Sequence, residues 1–301
     1  MTYRELTTTK PFIVNKNLGS AVDVEPEELT RTNADGLPVV VPTQKQKYDF
    51  DRNGWLLIPN VLSDAEVAAM REFCERLHTE PNSIPEHERC TLGRATQKLA
   101  DHPVVVGFLN EFLAYPPAAS EDCYGFRLEE TELIFGAGEQ HATPHAGNGL
   151  FRLPGDSHLY RCVPGRGWSG LTRARWELTE VTAETNDVRF ITGSHKAAYP
   201  MPEAVQDVNS SLWETYACPP GSLILFTESM TIARGHVNTD AERICIANLY
   251  NTVASRWSNW LPHPQLVAAM PPKRQTLFRE TYAGGNVING DFNQRTSAYP
   301  R

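Results

Sequence analysis

The sequence predicts a mainly β domain with helices on its flank, and three observations predict it. From Phe126 onward, short runs of strand-forming residues are separated by Gly, Pro, Asn and Asp, at 132–135, 171–181, 189–192, 222–227 and 244–253. Many short strands with turn residues between them make a β-sandwich or barrel. Upstream of them, apolar residues recur at helical spacing instead. Helices first and strands after place the helices against one face of a β-core.

Taken in order, residues 1–45 carry Pro11, Pro26, Pro38 and Pro42 and an acidic stretch at 23–28, and read as an arm lying over the domain. The domain itself spans 46–260. It opens at Tyr48 with a short helix end or turn leading to a buried strand that closes on Ile58. Ser63 and Glu66 have capping-box spacing, and Val67, Met70, Phe73 and Leu77 follow on one helical face. A second helix is expected over 102–113, burying Val105, Phe108, Leu109 and Phe112. The strands follow. Residues 261–301 are polar, with Gly284-Gly285 and Asn289-Gly290, and read as a C-terminal tail or lid.

Composition narrows the function. With 28 Lys and Arg against 36 Asp and Glu, the net charge is −8, which argues against a nucleic-acid polymer as partner. The apolar runs, Val104-Val105-Val106 and Leu223-Ile224-Leu225-Phe226 among them, are far too short for a membrane span. The N-terminus shows no apolar signal segment, so a cytoplasmic location is expected. Six scattered cysteines without a C-x-x-C pair read as reduced thiols. The expected partner is a small molecule.

Among nine histidines, His141, His145, His195 and His236 stand in informative contexts. His141 and His145 have the i, i+4 spacing of a helical zinc site, but Pro144 and the glycines at 136, 138, 147 and 149 favour a strand end running into a loop. His195 follows a strand in Gly193-Ser194-His195-Lys196 and reads as structural. His236 precedes the strand that Arg243 opens, and such a pair suits a metal and the far carboxylate of a dicarboxylic acid.

Four segments occur in an order that resembles the phytanoyl-CoA dioxygenase family of iron(II)/2-oxoglutarate oxygenases. They are Phe50…Gly54-Trp55-Leu56-Leu57-Ile58-Pro59 with its capped helix, Pro144-His145-Ala146-Gly147, Gly193-Ser194-His195-Lys196, and Pro219-Pro220-Gly221-Ser222-Leu223-Ile224-Leu225-Phe226. The resemblance implies a double-stranded β-helix (a cupin-like jelly roll) and, as cofactors, Fe(II), 2-oxoglutarate and O2. It implies iron held by His145 and His236, and 2-oxoglutarate anchored by Arg243. Arg243 follows His236 by seven residues where the family spaces the two by about eleven; position 232, at that spacing, is Ile.

The family's H-x-D carboxylate is replaced here by Gly147. A residue without a side chain leaves room for chloride on iron, which resembles the H-x-G halogenases of this class. The implied activity is chlorination of an unactivated C–H bond in a small free-standing substrate of secondary metabolism. The alternative within enzymes is a hydroxylase of the same fold, with Asp156 or Glu177 as a replacement donor, and a metal-free binding protein is the alternative outside enzymes. Strand alternation puts Arg173, Arg175 and Glu177 on one face. That face is either solvated or an anion site. With Trp176, the arginines are the substrate-binding candidates, and a phosphorylated substrate such as deoxyadenosine monophosphate is the implied example. Oligomeric state is not legible.

Overall fold

A computed structural model describes residues 29–136, 159–183, 185–199, 201–234 and 243–281, together with the backbone of three strands at 12–14, 21–23 and 143–146. The elements run β1 (Phe12–Val14), β2 (Ala21–Asp23), α1 (Gln44–Asn53), β3 (Trp55–Ile58), α2 (Asp64–Thr79), α3 (Pro103–Phe112), β4 (Phe126–Phe135), β5 (Thr143–Ala146), β6 (Tyr160–Val163), β7 (Arg166–Ser169), β8 (Thr172–Glu177), β9 (Val188–Phe190), β10 (Ser222–Thr227), β11 (Thr231–Arg234), β12 (Ile244–Thr252), α4 (Pro264–Ala269) and α5 (Pro272–Gln275). Short 3-10 turns join several of them.

Five strands form the larger antiparallel sheet in the order β3-β10-β8-β12-β4, and β5-β11-β9 form a smaller one. Strand alternation gives the larger sheet two different faces. Leu223, Leu225, Ala174, Trp176, Ile244 and Ile246 pack toward α2 and α3 in the main core. Ile224 and Phe226 point the other way, onto Val188, Phe190 and Ile232 of the smaller sheet. The result is the jelly-roll sandwich with flanking helices that the sequence predicts. A register shift between Leu249 and Tyr250 marks a bulge in β12·β4. It lets both Leu128 and Leu133 join the helix-side core despite their odd spacing.

Local chemistry sets the helix ends. Ser63 caps α2 through the backbone N–H of Glu66, whose carboxylate accepts from the Ser63 N–H at 2.9 Å. Thr43 and Gln46 repeat this box on α1, which therefore starts earlier than the sequence pattern suggests. Gly54 ends α1 at φ 82°, and a Cβ there would lie 2.6 Å from His195 Nδ1. Only glycine meets both conditions.

Both terminal segments pack onto the domain within the described residues. Residues 29–43 pack onto the domain: Thr30 Oγ1 donates to Ser120 O at 3.0 Å, and Arg274 bonds Asp35 at 2.7 Å. The expected tail or lid is core-forming through Phe278, because Leu266, Val267, Leu277 and Phe278 are buried. Gly284-Gly285 and Asn289-Gly290 lie outside the described residues. All six cysteines are free thiols. Among the described residues no helix is long and apolar enough to cross a membrane.

Candidate functional site

The space between the two sheets is where the chemistry-bearing side chains gather. On β8, Arg173, Arg175 and Glu177 share the face opposite Trp176. Their ladder partners in β12, Leu249, Ala247 and Cys245, share it too. Arg243 lies just before β12 and Asp187 just before β9, so the two sheets contribute to one cluster.

Arg175 donates from Nη2 to Asp187 Oδ1 at 2.6 Å and from Nε to Glu177 Oε1 at 2.9 Å. Arg243 reaches the same carboxylates, Asp187 at 2.5 Å through Nη1 and Glu177 at 2.9 Å through Nη2. Its Nη1 also donates to Thr185 O at 3.0 Å. Tyr216 Oη donates to Glu177 Oε1 at 2.6 Å. All five side chains are buried. Burying charge is costly unless it is paired, and two guanidiniums against two carboxylates bring the cluster to zero net charge. Burial works against the charged form of Arg175, but Asp187 and the other anionic partners outweigh it and hold its pKa well above the usual value. Burial likewise keeps the Tyr216 phenol protonated, as a donor.

Arg173 sits in a second group one row along. Its Nε donates to Glu228 at 2.6 Å, and Nη2 meets Glu130 at 3.3 Å. Glu132 lies 3.8 Å from Nη1. Of the other arginines, Arg166 lies 3.6 Å from Glu111 on the outer β6–β7 hairpin, and Arg161 is exposed. Arg152 lies outside the described residues.

These positions correct part of what the sequence suggests. The β8 arginines are not on a solvated face; they are buried, and their anions are the protein's own carboxylates. Trp176 is fully buried in the helix-side core, edge-on to His102 at 5.1 Å, so it packs rather than meeting a ligand with the arginines. Glu177 is held by Arg175, Arg243 and Tyr216. Asp156 lies outside the described residues. His195 is structural: its Nε2 lies 2.9 Å from Asp51 O, its ring meets Tyr160 edge-on at 4.6 Å, and it is fully buried. Burial lowers its pKa to about 4.

The implied iron ligands are placed only in part. His145 lies on β5, where its backbone course is described; His141, Gly147 and His236 lie outside the described residues. The register of β5 against β11 sets His145 directly opposite Ile232. Directly opposite residues are close neighbours, at the spacing two ligands of one metal can span. Ile232 is 4% exposed among Phe190, Phe226 and Met230, and a hydrocarbon cannot ligate iron. No group of three or more His, Cys, Asp or Glu suited to a metal occurs among the described residues. The chain therefore fits iron and 2-oxoglutarate in part. Arg243 offers a buried guanidinium, already paired, and His236, the expected second ligand, lies outside the described residues.

Asp187, Glu228 and Tyr216 are the interior residues that sequence reasoning misses. Asp187 is twelve residues from Arg175 in the chain and joins it only across the sandwich. No local pattern signals such a pair. The one clue is a matter of charge: inward-facing arginines on a buried strand require carboxylates from other strands.

A family model for phytanoyl-CoA dioxygenase matches residues 50–245. No curated protein is similar enough in sequence to match. Among solved structures, HygX from Streptomyces hygroscopicus with nickel and 2-oxoglutarate bound aligns with a TM-score of 0.58 at 20% identity, over 74% of this chain and 91% of that one. HygX with nickel, 2-oxoglutarate and hygromycin B bound gives 0.57 at 20% identity, over 73% and 90%. The 2-oxoglutarate-dependent carbocyclase SnoK from nogalamycin biosynthesis gives 0.50 at 15% identity, over 84% and 96%. At these identities the structures speak for the fold. The family match spans well over half of the 301 residues, and on it this chain belongs to the phytanoyl-CoA dioxygenase family, the iron/2-oxoglutarate oxygenase type.

Proposed function

We propose that this chain is a non-haem iron(II)/2-oxoglutarate-dependent oxidoreductase acting on a small free-standing molecule. The observation that carries the reading is the family match over residues 50–245, with Pro144, His145 and Ala146 on a strand of the smaller sheet and Gly147 next in the sequence. His145 and His236 are the proposed iron ligands, and Arg243 the proposed anchor of the 2-oxoglutarate distal carboxylate. When bound, iron would activate O2, with two electrons supplied by oxidative decarboxylation of 2-oxoglutarate. The protein's own part would be to hold these groups beside the apolar cluster of Phe190, Phe226 and Ile232, where water is scarce and charges act strongly.

The finer chemistry proposed is halogenation. Gly147 in place of a carboxylate removes one anionic ligand, and chloride restores the charge and the coordination. A nucleotide remains a candidate substrate, but Arg173 and Arg175 do not support it, because their charges are already matched inside the protein. A second reading is favoured by one observation: Ile232 opposite His145 suits a metal-free binding protein of the same fold.

Anaerobic titration with iron(II) and 2-oxoglutarate, with and without chloride, tests all of this. A visible charge-transfer band that shifts with chloride is expected, and Gly147→Asp should abolish the shift. A band indifferent to chloride favours the hydroxylase. Absence of any band, with no iron retained, overturns the iron reading in favour of the metal-free one.

A further inference from the structure

The Arg243 site carries more than the family role assigned to it. In a site that waits for a ligand carboxylate, a buried arginine keeps its fork open. Here Asp187 and Glu177 both occupy it, at 2.5 and 2.9 Å, and both also hold Arg175. The four charges sum to zero, so an incoming carboxylate adds an unbalanced negative charge to a buried cluster. The cluster is nevertheless incompletely bonded. Arg243 Nε and Glu177 Oε2 are both buried with no hydrogen-bond partner among the described residues. A donor and an acceptor left over in one buried cluster mark a place where a polar group can enter.

We propose that Asp187 is a built-in competitor for the arginine site, a side-chain carboxylate standing where the distal carboxylate of 2-oxoglutarate has to bind. The inference rests on the proposed role of Arg243 and deepens it. Asp187 is well suited to this. It comes from the smaller sheet, through the 185–187 turn that also places Thr185 O on Arg243, whereas Glu177 is fixed within β8. It is therefore the partner that can withdraw without breaking the larger sheet. Occupation of Arg243 by a dicarboxylic acid then exchanges one carboxylate for another, and co-substrate affinity is low in the resting chain.

Calorimetric binding of glutarate, 2-oxoglutarate and pyruvate to the full chain tests this, with circular dichroism to verify folding. Glutarate carries the distal carboxylate but cannot chelate a metal, so it reads the arginine site whether or not iron binds. Asp187→Asn is expected to raise affinity for glutarate and 2-oxoglutarate by at least about tenfold, the weight of one charge-assisted hydrogen bond. Pyruvate, which lacks the distal carboxylate, should gain nothing. Asp187→Ser serves as a second variant. Should neither variant fold, thermal stabilisation of the wild type by millimolar glutarate decides: its absence is expected, and its presence overturns the proposal. Wild-type binding of either dicarboxylate as tight as that of the variants overturns it, and so does equal gain for pyruvate. A separate manganese(II) titration reports on the iron site, so loss of that reading is told apart from loss of this one.

Discussion

His195 shows how a motif residue becomes structural. The Gly-Ser-His turn places its imidazole under Gly54 and against Tyr160, with Asp51 O taking Nε2. Burial disfavours the imidazolium and lowers the pKa to about 4, with Lys196 adding repulsion and the Asp51 carbonyl and carboxylate opposing it. The unfolded chain titrates near 6.5, so the unfolded state takes up the proton first as pH falls. Stability is therefore full above about pH 6.5 and is lost progressively down to about pH 4, by up to about 3 kcal/mol. Urea melts of the wild type and His195→Gln between pH 4 and 7 measure this. The wild type should lose stability through that window more steeply than the variant, and parallel curves would show that His195 titrates alike in the folded and unfolded states.

At the scale of an element, strand register decides what stands opposite the proposed iron ligand His145. β5 and β11 pair so that His145 meets Ile232, Pro144 meets Ala233 and Ala146 meets Thr231. A histidine at 232 would stand about 5 Å from position 145 at Cβ, a spacing that two ligands of one metal can bridge. Ile232→His is thus expected to raise affinity for nickel(II) or cobalt(II) by about tenfold or more, with the gain lost when His145→Ala is added. Equilibrium dialysis reads this directly. An unchanged affinity would mean that the edge of the smaller sheet is not the metal edge. Register is also what the amino-acid pattern reveals least. Ser222–Thr227 is legible to the residue because its flanking turn and apolar run are local, whereas β5, β6, β7 and β11 are not. Each of those four is only four residues long, and pairing rather than composition makes them strands.

At the scale of the molecule, residues 264–278 belong to the core and not to a lid. Leu266, Val267, Leu277 and Phe278 are buried with the helix-side cluster, and Arg274 bonds buried Asp101 at 2.8 Å. Burying four such side chains contributes at least about 6 kcal/mol, comparable to the whole net stability of a domain. A chain ending at residue 263 is expected not to fold, as circular dichroism would show. A folded truncate altered only in activity would restore the lid. The segment hides its core character for a physical reason. Pro271, Pro272 and the short helices α4 and α5 dilute any periodic signal, and the apolar residues gain partners distant in the sequence, α4 on the 86–88 turn and residues 276–278 on β4.

Local chemistry alone makes much of this protein legible in its sequence. Capping at Ser63, the helical face of Val67, Met70 and Phe73, and the strand runs before Gly and Pro each depend on neighbours within a few residues. The alternation of Arg173, Arg175 and Glu177 against Trp176 follows from the pleat alone. Whether that face is wet, ligand-binding or self-paired does not. Asp187, Glu228 and Tyr216 reach it from other parts of the chain, and the charge balance of a buried site is a sum over residues distant in sequence. The same holds for Ile232: its place opposite His145 is a property of a ladder, which only the folded pairing of two strands defines.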